Sequence, residues 1–109
     1  MNEKVKFEQS SGNVFRDIGF SESEAERELL KADLAFEIYN ILEGRKLTQA
    51  KAGEILGINQ SDVSRLKNGD FSRFSVERLF GFLNRLNRNI EIRITHSEDR
   101  SGYQRVVAV

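Results

Sequence analysis

The longest regular pattern of apolar and polar positions lies between residues 22 and 43, a segment without Gly or Pro. Apolar residues recur there at helical spacing and form one stripe. They are Leu30, Leu34, Ala35, Ile38, Tyr39, Ile41 and Leu42. Ser21 and Glu24 have the S-x-x-E spacing of a capping box. The pattern therefore predicts one long helix that begins after Ser21 and ends at Gly44.

Segment 47–69 has the pattern of two short helices joined by a tight turn. Thr48 and Asn59 can cap the two helix N-termini with their side-chain oxygens. Gly57 and Gly69 can end the helices, because Gly takes the left-handed conformation without steric cost. The apolar positions are Leu47, Ala52, Ile55, Leu56, Ile58, Val63 and Leu66. Caps, glycine and spacing together predict a helix-turn-helix unit.

A closing helix is predicted over residues 76–86. Ser75 is its candidate N-cap, and Phe74 can pack against Leu79 as a hydrophobic staple. The residues expected to point inward are Val76, Leu79, Phe80, Leu83 and Leu86.

The periodicity then changes from helical to alternating. Residues 89–95 place Ile90, Ile92 and Ile94 on one face, which predicts a half-buried strand. Residues 103–109 are a candidate second strand. Because a lone hairpin is marginal in water, the isoleucines need the closing helix, a second subunit, or both. We favour a symmetric dimer that uses the three isoleucines as contacts.

The first 20 residues precede the long helix as an arm. Residues 4–9 alternate enough for a short strand, and residues 13–20 suit a short helix. The arm either packs on its own domain or docks on another protein. The predicted organisation is an N-terminal arm (1–20), a helix-turn-helix domain (21–88) and a C-terminal β extension (89–109).

The second helix of the pair carries a distinctive polar face. At about 100° per residue, Val63 and Leu66 share one side and Asp62 is expected to point away from the opposite one. That opposite face carries Gln60, Ser61, Ser64, Arg65 and Asn68. It lacks carboxylates, and Gln can pair with adenine and Arg with guanine in the major groove. The alternative is a solvated helix face that happens to lack acids.

These residues resemble the Xre/Cro/lambda-repressor class of helix-turn-helix domains. The matching positions are Leu47-Thr48-Gln49, Gly57-Ile58, Gln60, Val63-Ser64, Leu66 and Asn68-Gly69. The resemblance implies a mainly α, lambda-repressor-like bundle, here with a C-terminal β-strand or hairpin available to a dimer sheet. One departure is Gly53, where the family usually has Ala; either residue is expected to be small enough for the helix crossing.

We predict that a homodimer places two copies of helix 60–68 in successive major grooves of a palindromic operator, about 34 Å apart. The predicted base contacts are Gln60, Ser61, Ser64 and Arg65, and the resemblance favours Gln60 and Arg65. The predicted phosphate contacts are Thr48, Gln49, Lys67, Asn68 and Arg73. Gln49 begins a helix, where backbone N–H groups can bind a phosphate.

The charge distribution agrees with double-stranded DNA as a partner, although the net charge is zero. Residues 1–44 hold 5 basic and 10 acidic side chains, whereas residues 45–109 hold 12 basic and 7 acidic ones. DNA responds to the local potential over roughly 8–10 Å at moderate salt. The positive half contains the helix-turn-helix. Glu residues early in the long helix suit its dipole, with an acidic interaction patch as the less favoured interpretation.

The order of further segments extends the resemblance along the chain. These are S-S-G-N-V-F at 10–15, K-A-D-L-A at 31–35, F-S-V-E-R-L at 74–79, L-N-R-L at 83–86 and I-E-I at 90–92. They are similar to short Xre-type regulators that serve as HigA-like antitoxins in type II toxin–antitoxin modules. The resemblance implies a cytoplasmic repressor of its own operon with a small RelE/HigB-type toxin as partner. The alternatives are a stand-alone Xre-type transcription factor and a protein-interaction module without DNA binding.

No catalytic site, cofactor or metal site is predicted. His96 is the only histidine and falls in a polar loop, where we expect it to be solvated. The chain has no Cys, which excludes disulfides and thiolate zinc sites. Its apolar runs are too short to span a membrane.

Overall fold

The computed structural model describes residues 19, 21–98 and 102–109. Four α-helices follow one another in this part of the chain. They are α1 (Glu22–Gly44), α2 (Gln49–Leu56), α3 (Gln60–Lys67) and α4 (Val76–Arg85). The strand and helix predicted for the N-terminal arm fall, apart from Gly19, outside the described residues.

The predicted long helix is confirmed as α1. The Ser21 side chain accepts a hydrogen bond from the Glu24 backbone N–H (3.3 Å), and the Ser21 N–H donates to Glu24 Oε1 (3.3 Å). The residue with a left-handed backbone beyond α1 is Lys46 (φ 55°). Its N–H donates to the Glu43 carbonyl, and Leu47 N–H donates to the Leu42 carbonyl, which is a Schellman ending.

All predicted caps of the two short helices are confirmed. Thr48 Oγ1 accepts from Lys51 N–H at 3.1 Å, and Asn59 Oδ1 accepts from Asp62 N–H at 2.8 Å. Gly57 is left-handed (φ 75°) and ends α2, and Gly69 (φ 81°) follows α3. These local bonds satisfy backbone groups that a helix end leaves without partners.

The core lies where α1 packs against α3 and α4 and where α2 packs against α3. Its fully buried large side chains are Phe74, Ile38, Leu42, Leu79, Leu86 and Val63. Phe82, which was not predicted to point inward, is buried edge-to-face against Phe74 with ring centroids 5.6 Å apart. Phe80, predicted to point inward, is only partly buried. Tyr39 lies at the edge of the α1 stripe and remains partly exposed.

Gly53 lies at the crossing of α2 and α3, and the expectation that Ala is also small enough for this crossing is wrong. A Cβ at this position would lie 2.7 Å from the Ile58 carbonyl oxygen. That oxygen belongs to the turn between the helices, so the backbone itself would have to move.

The predicted C-terminal strand is not formed within the single chain. Residues 88–98 and 102–109, like the rest of the described chain, carry no strand. Ile90 and Val106 pack against the core, whereas Ile92 and Ile94 are 74% and 91% exposed. Gln104 N–H donates to Glu26 Oε1 at 3.3 Å, so the tail lies against α1 instead of pairing as a hairpin. An alternating sequence becomes a strand only where a neighbouring backbone takes its hydrogen bonds.

Candidate nucleic-acid interface

The α2 N-terminus and the polar face of α3 meet in one open surface depression. The side chains that line it are Gln49, Gln60, Ser61, Ser64 and Arg65. Val63 and Leu66 are buried on the other side of α3 and thereby fix its rotation. The structure thus brings all four predicted base-contact residues together with Gln49.

Gln49 and Thr48 lie where α2 begins. Thr48 is the N-cap, and its hydroxyl oxygen is already occupied by the Lys51 N–H. Gln49 is the first helical residue and is exposed. The start of a helix presents N–H groups and the positive end of the helix dipole, an arrangement suited to a phosphate group.

Arg65 is held by two carboxylates at the edge of the depression. Its Nη1 donates to Asp62 Oδ1 at 3.1 Å, and its Nε lies 3.8 Å from Asp70 Oδ2. Asp62 does not line the depression, but its carboxylate pairs with Arg65 at the edge, a contact that was not predicted from the sequence. Residues three apart are neighbours on a helix surface, and the long Arg65 side chain reaches back to the preceding turn.

The chain is similar to known helix-turn-helix proteins. A family model described as a helix-turn-helix domain matches residues 14–95. The chain is also similar to a solved structure named as a putative XRE family transcriptional regulator, with 37% sequence identity and a TM-score of 0.69. The match covers 79% of this chain and 97% of that chain. The chain belongs to the Xre-type helix-turn-helix family. No curated protein matches it.

The remaining predicted phosphate contacts of this Xre-type domain lie outside the depression. Asn68 Nδ2 donates to Ser64 Oγ at 3.3 Å, at the end of α3. Lys67 Nζ pairs with Glu43 Oε2 of α1 at 3.3 Å and lines a separate apolar depression beside Phe36. Arg73 is exposed in the loop between α3 and α4. The structure therefore does not bring Lys67 or Arg73 to the predicted base contacts.

A buried lysine that contacts the loop after α3 was not predicted from the sequence. Lys31 is 7% exposed, and its Nζ donates to the Ser72 carbonyl at 3.0 Å and lies 3.6 Å from Glu28 Oε2. Lys31 precedes Leu34 and Ala35 by three and four residues. It therefore lies on the apolar stripe of α1 itself, and that spacing is the signal that identifies it.

The described part of this Xre-type protein contains neither a candidate metal site nor a candidate membrane-spanning helix. No group of three or more His, Cys, Asp or Glu side chains converges there to hold a metal ion. His96 is exposed in the segment after α4. None of the four helices is long and apolar enough to cross a bilayer.

Proposed function

We propose that this chain is a sequence-specific DNA-binding transcriptional repressor. The observation that carries the proposal is the depression where Gln49 of α2 meets Gln60, Ser61, Ser64 and Arg65 of α3. Its lining combines amide, hydroxyl and guanidinium groups. These are the groups that bind base edges in the major groove. Membership of the Xre-type family supports the same function.

In this mechanism α3 enters the major groove. Gln60, Ser61, Ser64 and Arg65 face base edges, and Gln49 binds a backbone phosphate beside the groove. Thr48 and Asn68 lie at helix ends that flank this face and are further phosphate contacts. Phosphate contacts set the position of the protein, while base contacts set the sequence preference. Lys67 and Arg73 contribute attraction to DNA without regard to sequence.

The proposed repressor acts as a homodimer. Two recognition helices contact half-sites about 34 Å apart on one face of the duplex. Ile92 and Ile94 are exposed here and belong to a segment with strand alternation. Pairing of this segment with its copy would bury both isoleucines and satisfy the strand hydrogen bonds. We therefore assign Ile92 and Ile94 to the dimer contact, together with Ile90, which in the single chain packs against the core. The DNA site is then palindromic.

The finer proposal is that the repressor is the antitoxin of a toxin–antitoxin pair and represses its own operon. Its support is the resemblance of segments 10–15, 31–35, 74–79, 83–86 and 90–92 to HigA-like antitoxins. The proposed partner is a small RelE/HigB-type toxin encoded by the neighbouring gene. Co-expression with that neighbour and purification through a tag on this chain tests it. Recovery of a stoichiometric complex supports the antitoxin role, whereas recovery of homodimer alone favours a stand-alone regulator.

A protein-interaction module without DNA binding is the rival function. It is favoured by the zero net charge and by the pairing of Arg65 and Lys67 with carboxylates. A gel shift with the DNA upstream of the gene separates the two functions. A repressor gives a shift that excess unlabelled upstream DNA removes and scrambled DNA does not. If scrambled DNA competes equally well, or if no shift appears, sequence-specific repression is wrong.

A further inference from the structure

Arg65 is the only cation among the residues that line the α3 depression, and two carboxylates lie beside its guanidinium. Asp62 Oδ1 accepts from Nη1 at 3.1 Å, and Asp70 Oδ2 faces Nε at 3.8 Å. The Asp62 side chain is only 15% exposed, so its charge is directed at Arg65 more than at solvent. The two carboxylates approach the guanidinium from different segments, one within α3 and one beyond its end.

The Asp70 carboxylate is held in place by contacts that lead back to the core. Asp70 N–H donates to the carbonyl of Arg65 itself at 2.8 Å, and Ser72 Oγ donates to Asp70 Oδ1 at 3.4 Å. The Ser72 carbonyl in turn accepts from buried Lys31 Nζ at 3.0 Å. A chain of hydrogen bonds thus fixes the loop that carries Asp70 relative to α1.

We infer that Asp62 and Asp70 are specificity-determining residues that position Arg65 for a base edge and reduce its attraction to phosphate. This inference rests on the proposed DNA-binding function. Arg has five N–H donors in a rigid planar fork. Asp62 occupies one donor on Nη1 and Asp70 faces Nε, so the second Nη1 donor and the Nη2 donors are left for a base. The two negative charges also oppose the approach of a phosphate. Hydrogen bonds from Arg65 to a base edge depend on direction more than on net charge, so they can still form.

Asp62 and Asp70 would raise the ratio of the affinity for the preferred DNA site to the affinity for unrelated DNA. With both carboxylates present, Arg65 contributes chiefly where a guanine offers O6 and N7 as paired acceptors. Without them, the guanidinium turns more freely and gains attraction to any phosphate. Loss of a carboxylate therefore strengthens binding to unrelated DNA more than binding to the preferred site.

The test compares Asp62→Asn and Asp70→Asn with Glu54→Gln as a matched control. Glu54 pairs with Lys51 on α2, whereas the ion pairs of Arg65 are with Asp62 and Asp70, so Glu54→Gln removes the same charge from the same unit without touching them. The preferred duplex is first selected by the wild-type protein from a randomised library. Affinities of every variant are then measured for that duplex and for a scrambled version of equal length. Thermal unfolding followed by circular dichroism shows which variants are folded.

We expect the specificity ratio to fall about tenfold in Asp62→Asn, the scale of one bidentate base contact, and to fall less in Asp70→Asn. Glu54→Gln strengthens binding to both duplexes alike and leaves the ratio unchanged. In an Arg65→Ala background, Asp62→Asn no longer changes the ratio. If Asp62→Asn is unfolded, the specificity ratio of Asp70→Asn alone tests the inference.

Three results overturn the inference. The first is a specificity ratio that stays unchanged in both aspartate variants. The carboxylates would then repel all DNA alike and would not determine specificity. The second is a fall in the ratio that persists without Arg65. The third is a wild-type protein that selects no sequence, which refutes the proposed function as well and so differs from failure of the carboxylates alone.

Discussion

At the residue scale, Gly53 shows how closely two backbones approach in this fold. Its carbonyl accepts from both Gly57 N–H (2.7 Å) and Ile58 N–H (3.0 Å). These bonds hold the turn close to α2. The Ile58 carbonyl therefore lies where a side chain at position 53 would be. The position requires glycine because of the neighbouring backbone, not because of an unusual φ of its own.

Gly53→Ala should therefore destabilise the domain. Ala gains about 1 kcal/mol of helix propensity over Gly, but overpacking a tight site costs about 1–3 kcal/mol. Gly81→Ala in α4 is the matched control, because no described atom lies within 4 Å of its Cβ position. We expect urea unfolding to show a gain of up to about 1 kcal/mol for Gly81→Ala and a net loss for Gly53→Ala. Equal gains in both variants would contradict the close approach.

Sequence alone predicted the cap residues but not the requirement for glycine at position 53. Thr48, Asn59 and Ser75 each bond a backbone group three residues ahead, so their chemistry is visible in a short window of sequence. The constraint on Gly53 depends on a distance between two segments, which sequence spacing does not contain. The pairing of Arg65 with Asp62 was missed because a helical wheel places Cβ atoms and ignores the length of Arg.

At the element scale, the loop between α3 and α4 depends on a polar contact from α1. Lys31 is the buried charged residue of the described core, and its Nζ donates to the Ser72 carbonyl. The same loop carries Asp70 and Arg73, so the position of α1 influences the end of the proposed DNA-binding surface. A lysine within an apolar stripe is retained here because the loop backbone supplies its acceptor.

Lys31→Met should loosen this loop. Met keeps the apolar stem but leaves the Ser72 carbonyl without its donor, which costs about 1–3 kcal/mol when the group stays buried. Lys51→Met is the control, because the Lys51 side chain makes an exposed pair with Glu54, and such pairs contribute about 0–1 kcal/mol. Hydrogen exchange of amides 70–74 should rise in Lys31→Met and stay at wild-type rates in Lys51→Met. Unchanged protection in Lys31→Met would show that the contact does not hold the loop.

The helices could be predicted from sequence and the C-terminal strand could not. A helix satisfies its hydrogen bonds within one segment, so the stripe and caps of α1 specify it locally. A strand needs a partner backbone, and alternation at residues 89–95 does not say which one. In the single chain the tail contacts α1, and Ile92 and Ile94 remain exposed.

In the molecule as a whole, the exposed isoleucines Ile92 and Ile94 are the feature that favours the proposed association of two chains. Ile92 and Ile94 project from a chain whose residues 45–109 are net positive by 5. Pairing through this segment would place two positive helix-turn-helix units in one particle. A two-fold arrangement of that kind matches the symmetry of a palindromic site.

Ile92→Lys should dissociate the predicted dimer. The change places a charge on the face that would be buried, whereas Thr95→Lys adds the same charge to the opposite face of the alternation. Sedimentation velocity should give about twice the 12.5 kDa chain mass for wild type and Thr95→Lys, and the chain mass for Ile92→Lys. A wild-type protein that stays monomeric at tens of micromolar would refute the assignment of Ile90, Ile92 and Ile94.

In the proposed function, the α3 face carrying Gln60, Ser61, Ser64 and Arg65 determines the DNA sequence that is bound. The most direct measurement is the affinity of Arg65→Ala for the selected duplex and for its single-base-pair variants, by fluorescence anisotropy at several salt concentrations. We predict a loss of about 1–3 kcal/mol on the selected duplex and loss of preference at one base pair. Lys67→Ala, the comparison variant, should weaken all duplexes alike and reduce the salt slope by about one. Wild-type affinity and preference in Arg65→Ala would contradict the assignment of this face.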